Sequence, residues 1–323
     1  MLQFSSFSFE KYFYMSSIIT ITLNPCIDKS ASIASLKPEK KLRCSKPKYE
    51  AGGGGINVSR AIRKLGGDSI PIFPAGSYTG TLLTDLLIQE NIHPVIINIK
   101  EYTRENFMVV DEATNNQYRF CMPGPVLEES EWHACLKAIE LIKDAEYIVA
   151  SGSLPPGAPV DIFGRIAQIS KSKGAKFILD TSGEPLKHAL EQGVYLWKPN
   201  SGELSALSGT EELTTETAIQ AAKKIIAEKK SEIIVVSLGA AGAILITENI
   251  TQRFNTPLVK RRSTVGAGDS MVAGIVLSLL KNKSLPDAVL YGVMCGTAAT
   301  MNPGTELCRL EDVEQLYNNA VHL

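Results

Sequence analysis

Short apolar, β-branched runs alternate along the chain with segments whose apolar residues recur at helical spacing. Ile18 to Leu23 reads as a strand, and Ile56 to Leu65 as a helix that stops at Gly66-Gly67, the residue type that most often closes a helix. Tyr147 to Ala150 and Lys176 to Asp180 read as buried strands separated by a helix around Asp161 to Ser172. Ile233 to Ser237 and Ala243 to Thr247 form an expected hairpin turned by Gly-Ala-Ala-Gly. Met271 to Leu280 is a helix with Val272, Ile275, Val276 and Leu279 on one face. Such alternation implies an α/β fold, with an open, mostly parallel sheet covered on both faces by helices. Ligands of such sheets sit at the carboxyl ends of the strands.

Two segments break the alternation. Ile27 to Glu50 has no helical period, and Glu105 to Met122 reads as an alternating pair of strands turned at Thr114-Asn115-Asn116. Together they are expected to form a small β lid, discontinuous in sequence (27–50 and 105–122), on a large domain made of 15–26, 51–104 and 123–323. Residues 1–14, rich in Ser and Phe, are expected to be a mobile extension, with Met15 a candidate start. Short projecting strands cannot bury both faces, and their edges invite pairing. Tyr118, Phe120, Phe107, Val109 and Ala31 are placed to supply one apolar face, so a homodimer through the lid is expected.

The 33 basic and 34 acidic residues leave a formal charge of −1, so long-range attraction to nucleic acid or an anionic membrane is not built in. No apolar run approaches the ~18 residues of a membrane span, and the N-terminus lacks the pattern of a secretory signal. The six cysteines show no Cys-x-x-Cys pairing, which suits a reduced, cytoplasmic protein without a zinc site.

The most informative segment is Ser263-Thr-Val-Gly-Ala-Gly-Asp-Ser270, just before the Met271 helix. Amides from Gly266, Ala267 and Gly268 to Asp269, at a helix start, make an anion site, because they lack helical partners and sit at the positive end of the dipole. An anion site beside a carboxylate suits phosphoryl transfer, with Asp269 taking a proton from the attacking hydroxyl. The plainer reading is a glycine turn with Asp269 as helix N-cap. A P-loop and a dinucleotide fingerprint are both absent.

Thr264-Val-Gly-Ala-Gly-Asp269 and Gly52-Gly-Gly-Gly-Ile-Asn57 resemble the two signatures of the ribokinase-like (PfkB) carbohydrate kinases. The likeness runs from about Ile18 to the C-terminus. It includes Ser151-Gly-Ser-Leu-Pro-Pro-Gly157, Lys198-Pro-Asn-Ser-Gly-Glu203 and Val236-Ser-Leu-Gly-Ala-Ala-Gly242. The resemblance implies a ribokinase-like fold and ATP-dependent sugar phosphorylation. It assigns the glycines, Gly53 and Gly54 among them, with Asn57 and Asp28, to sugar hydroxyls. The glycines alone would equally suit tight helix-to-strand packing, and Asp28 a solvated loop.

Lys41, Arg43, Arg104 and Arg119 stand where family members acting on sugar phosphates hold the phosphate, with Ser153 a further contact. Arginine suits that task through its planar, two-pronged donors. Lys41 and Arg43 are expected on one face of an alternating strand, pointing at one ligand. Lys198, Asn200 and Glu203 resemble the family's nucleotide-phosphate and magnesium element, with Asn200 and Glu203 holding the ion through water. The same pair would also make a helix capping box. Ser237, Gly239, Gly242 and Thr264 are implied in ATP binding. Ser263, Val265, Asn302 and Gly304 resemble a monovalent-cation (K+) site. The tetraglycine, Lys41-Leu-Arg-Cys44 and Tyr118-Arg-Phe120 favour the subgroup that acts on fructose 6-phosphate. Tagatose 6-phosphate and fructose 1-phosphate kinases are the alternatives, and a silent sugar-phosphate sensor is the rival outside enzymes. Gly202, where that subgroup often has a basic residue, puts in doubt a second, inhibitory nucleotide site.

Overall fold

The structure, a computed structural model, describes residues 17–209 and 214–321; the expected N-terminal extension lies outside them. The chain opens with β1 (Ile18–Ile21), β2 (Cys26–Ile33), β3 (Lys48–Gly52), α1 (Gly54–Lys64), β4 (Ile70–Ala75), α2 (Ser77–Gln89) and β5 (Val95–Asn98). It continues through β6 (Arg104–Asp111), β7 (Asn116–Phe120), α3 (Glu129–Leu141), β8 (Tyr147–Ser151), α4 (Ile162–Ser172), β9 (Lys176–Asp180), α5 (Gly183–Gln192) and β10 (Val194–Trp197). It ends with α6 (Ser201–Ser208), α7 (Thr215–Ala227), β11 (Ser231–Ser237), β12 (Ala243–Ile246), β13 (Thr251–Phe254), α8 (Ala267–Leu280), α9 (Leu285–Thr300) and α10 (Leu310–Val321).

A nine-stranded sheet runs in the order β13-β12-β11-β10-β9-β8-β1-β4-β5, and only β12 runs against the rest, so its pairings with β11 and β13 are antiparallel. Its central strands are apolar on both faces because both faces are covered. Ile19, Ile21, Ile148, Ala150, Phe177 and Leu179 pack with α3, α4 and α5. The alternate residues Ile18, Tyr147, Val149 and Ile178 pack with α1, α8 and α9. The hairpin of β11 and β12 turns over Gly239–Ala241 as expected. β1 is shorter than the expected strand: Pro25 ends the pairing register soon after Thr22, whose amide still reaches the Ile72 carbonyl.

The expected small sheet is present, four-stranded in the order β3-β2-β6-β7. It takes in Cys26, Gly52 and Arg104, one or two residues beyond the expected lid bounds. One expectation fails. Lys41 and Arg43 are not on a strand but in the irregular, exposed stretch between β2 and β3. In Lys40-Lys41-Leu42-Arg43-Cys44 the apolar positions are too few to bury a face, and Pro38 and Pro47 flank the run. This loop is tied down near its ends, by the Leu36 amide to Asp111 and by Ser45 to Ser32.

Register puts Lys29, Phe107 and Phe120 in one row and Ala31, Val109 and Tyr118 in the next, all on one face of the small sheet. Val109 and Ala31 are buried within the single chain, whereas Phe120 is 46% and Tyr118 37% exposed. The other face carries Asp28, Glu50, Asn106, Met108 and Arg119.

Candidate active site

The chemistry-bearing residues gather at the carboxyl ends of the parallel strands, where an open α/β sheet leaves a crevice. Asn24 follows β1, Ser151 closes β8, Asp180 closes β9, Lys198 follows β10 and Ser237 closes β11. Against this row stands the start of α8. Gly266 precedes the helix at φ 71°, a left-handed conformation that glycine adopts without strain, so Ala267, Gly268 and Asp269 form the first turn. Asp269 is therefore the third helical residue, and the N-cap is Gly266.

Asp269 receives a hydrogen bond from Asn57 Nδ2 at 3.0 Å and another from Ser151 Oγ at 3.3 Å. Burial, and next the neighbouring Asp180 carboxylate, push its carboxyl up to about 6, against the pull of Asn57, Lys198 and Ser151. Lys198 is almost wholly buried and pairs with Asp180 Oδ2 at 3.2 Å. Burial works against its charge, yet the Asp180 carboxylate holds the ammonium above its usual range. A Cβ on Gly268 would lie 3.5 Å from Lys198 Nζ, so a fixed cation stands beside the first amides of α8. An anion at this helix start would meet unpaired N–H groups and an ammonium together.

The tetraglycine is consumed by the protein's own packing. A Cβ on Gly54 would overlap Ser151, the residue that bonds Asp269, and Gly52, Gly53 and Gly55 are as tightly opposed by Asp28, Thr22 and Ile21. Helix α1 thus seats directly on the strand ends, which is how Asn57 reaches Asp269. Asp28, on β2, receives Asn106 Nδ2 at 3.0 Å, and Asn106 Oδ1 accepts the Met122 amide at 3.2 Å.

Arg104 donates to the carbonyls of Met122 and Asn24, at 3.0 and 2.9 Å, while its buried Nε has no partner. Asn24 Nδ2 in turn reaches Ser153 Oγ at 3.1 Å. Asn24, Arg104 and Ser153 are thus brought together. Among the described residues the side chains of Lys41, Arg43 and Arg119 have no hydrogen-bonding or ionic partner, and all three are exposed.

Asn200 and Glu203 form the capping box that the sequence also allowed: Asn200 Oδ1 accepts the Glu203 amide and Glu203 Oε2 the Asn200 amide, both at 2.8 Å. Burial and the Asp180 charge raise the Glu203 carboxyl even so. Its second oxygen is left for a hydrated cation, so the donor set fits magnesium held through water. Ser237 bonds the Pro199 carbonyl and abuts the turn that holds Gly239 and Gly242. Ser263 Oγ donates to the Gly304 carbonyl at 2.6 Å and accepts the Val265 amide at 3.2 Å, while Asn302 Nδ2 turns to Leu307. This cluster of carbonyl and hydroxyl oxygens fits a monovalent cation. Thr264, between them, is exposed.

Sequence reasoning missed Asp180, Ser151, Asn106 and Asn24. A carboxylate closing a strand that was already expected, as Asp180 does, was the one available signal; the others need the fold.

The pfkB family carbohydrate kinase model matches residues 15–312. The chain is 42% identical to the ATP-dependent 6-phosphofructokinase isozyme 2 of Escherichia coli K12, over 94% of this chain and 98% of that one. Three solved structures of the E. coli phosphofructokinase-2 superpose on it, each covering 94% of this chain and 99% of the other. They are a complex with potassium (TM-score 0.91, 42% identity), a complex with fructose 6-phosphate (0.89, 40%) and a tetrameric inhibited form (0.89, 41%). The chain belongs to the pfkB family of carbohydrate kinases.

Proposed function

We propose that this protein transfers the terminal phosphoryl group of ATP to fructose 6-phosphate, giving fructose 1,6-bisphosphate, with Asp269 as the base. The observation that carries the reading is Asp269 itself, held by Asn57 and Ser151 at the start of α8 with buried Lys198 beside it. A carboxyl pushed up to about 6 is ionised at neutral pH yet basic enough to accept a hydroxyl proton. In the proposed mechanism Asn57 and Ser151 fix the Asp269 oxygens, and the proton of the attacking hydroxyl moves to Asp269. The Ala267 and Gly268 amides and Lys198 hold the charge of the passing phosphoryl group. Magnesium, when bound near Asn200 and Glu203, supplies neutralising charge to the ATP phosphates.

Asp28, with Asn106 behind it, would hold sugar hydroxyls, as would the backbone at Gly53 and Gly54. Arg104, Arg119 and Ser153, with Lys41 and Arg43 from the loop between β2 and β3, would hold the phosphate already on the sugar. The turn bearing Ser237, Gly239 and Gly242, with Thr264, would take the nucleotide, and Ser263, Val265, Asn302 and Gly304 a potassium ion. The small sheet serves as the lid. Its exposed Tyr118 and Phe120 support pairing with a second copy, and the tetrameric form of the E. coli relative means that dimer and tetramer must be separated in the measurement.

The test is a substrate panel with ATP and magnesium, ranking fructose 6-phosphate, tagatose 6-phosphate and fructose 1-phosphate by kcat/KM. Fructose 6-phosphate is expected first; either of the others ahead of it would overturn the reading, and absence of any turnover would return the protein to the sensor class.

A further inference from the structure

Glu50 lies on β3, opposite Asp28 across the β2–β3 ladder, and is only 6% exposed. A carboxylate taken out of water needs close partners to remain charged. Burial alone would raise the Glu50 carboxyl, yet the Thr305 hydroxyl, Arg60 and Lys48 hold it below its usual range. The shortest of these contacts is Thr305 Oγ1 to Glu50 Oε2 at 2.6 Å; Lys48 stands at 3.2 Å and Arg60 at 3.4 Å. Arg60 is already engaged elsewhere. Its Nε reaches both oxygens of Glu90, at 2.9 and 3.1 Å, and its Nη1 the Ala51 carbonyl at 2.7 Å. The ion pair of Arg60 therefore anchors α1, and the bond that leaves for another part of the chain is the one to Thr305.

Thr305 follows Gly304, whose carbonyl takes the Ser263 hydroxyl, and Ser263 Oγ takes the amide of Val265, the residue before Gly266. A Cβ on Gly304 would lie 3.6 Å from Met108 Cε and 4.0 Å from Ser30 Oγ, both on the same face of the small sheet as Asp28. A continuous run of contacts thus leads from the strand pair bearing Asp28 through Glu50, Thr305, Gly304 and Ser263 to the anion site. Among the described residues another side-chain hydrogen bond from the small sheet to this loop region, Gln117 Nε2 to the Arg262 carbonyl, is long (3.4 Å) and exposed.

We infer that Glu50 and Thr305 are positioning residues: their buried bond sets the small sheet, and Asp28 with it, at the correct distance from the loop that ends in the anion site. The inference rests on the reading of Asp28 as a sugar-binding group. Sugar and phosphoryl donor are held by bodies from opposite ends of the chain, and misplacing one by about 1 Å costs a large factor in rate.

The experiment compares full-length Thr305→Val, which keeps the shape but loses the hydroxyl, with Thr305→Ser, which keeps the hydroxyl. Both KM values, kcat and the melting temperature are measured, with Asp28→Asn as control. Thr305→Val is expected to raise KM for fructose 6-phosphate about tenfold and lower kcat, with KM for ATP changed less than about twofold. Thr305→Ser is expected to restore both values to within about twofold of the original. A Thr305→Val protein that merely melts earlier, with kinetics intact, overturns the inference; so does a Ser variant as impaired as the Val one. Should Thr305→Val fail to fold, Thr305→Ala carries the same expectations. If Asp28→Asn leaves KM for fructose 6-phosphate untouched, the sugar-site reading falls and this inference with it. If Asp28→Asn is damaging and Thr305→Val is silent, only the inference falls.

Discussion

The two sheets of this molecule hold their functional residues in place by opposite means. In the large sheet, strands such as Ile18–Ile21 and Tyr147–Ser151 are buried along their whole length, and the residues at their ends inherit that rigidity. In the small sheet one face is polar and turned to the site, while the other leaves Tyr118 and Phe120 in solvent. Its placement depends on a few polar ties, Asn106 to Asp28 and Glu50 to Thr305 among them. On the proposed reading, packing holds the residues of phosphoryl transfer, and a few hydrogen bonds hold those that grip the sugar. Damage to the first should stop turnover; damage to the second should weaken substrate binding.

The sharpest test of that division is Asp269→Asn, on the rigid side. It is expected to lower kcat by about a thousandfold with KM for the sugar phosphate nearly unchanged. Steady-state kinetics decide this, and a near-normal kcat would remove Asp269 from the role of base. On the adjustable side, Arg104→Ala is expected to raise KM for fructose 6-phosphate by roughly thirtyfold, since a charge-assisted pair is lost, and to leave KM for ATP alone. Equal loss for both substrates would erase the distinction between the regions.

Replacing Tyr118 and Phe120 together by Ser is next. Sedimentation at micromolar protein should show a shift to smaller species, with activity falling alongside; an unchanged assembly would mean that another surface joins the copies. The smallest effect concerns stability. Because the folded state raises the Asp269 carboxyl from 3.8 to about 6, it binds that proton more tightly than the unfolded chain. Stability from this group is present below about pH 4 and lost as pH rises through 6. Asp269→Asn should therefore be more stable to unfolding than the parent at pH 8, by about 1–3 kcal/mol, with the gap closing toward pH 4. If Asp269 is the base, kcat of the parent is expected to show an acid limb, half-maximal near pH 6 and level about one pH unit higher.

The fold was legible wherever one period dominated, as in Lys176–Asp180 or the hairpin around Gly239, because burial on both faces leaves a plain apolar run. It was misread at Lys41 to Arg43, where alternation without enough apolar residues has nothing to bury. In the candidate site, Asp269 and Asn57 could be picked out as candidates because a helix start and a glycine run have local signatures. Glu50 and Thr305 could not: they are 255 residues apart, and each alone is an ordinary surface residue type. The four glycines illustrate a third case. They were read as room for sugar hydroxyls, with tight packing as the plainer alternative; the structure shows the packing, and the atoms that exclude a Cβ come from strands that only the fold brings near.

The bond between Asn57 and Asp269 spans 212 residues, and this has a bearing on the protein's synthesis. A ribosome must translate and release most of the chain before Asp269 can meet Asn57 or Thr305 can meet Glu50. Because domains fold as units during synthesis, a growing chain can collapse around its early strands but carries no assembled centre for phosphoryl transfer. A chain that ends before Asp269 lacks the proposed base and the partner of Asn57, and is expected to show no phosphoryl transfer.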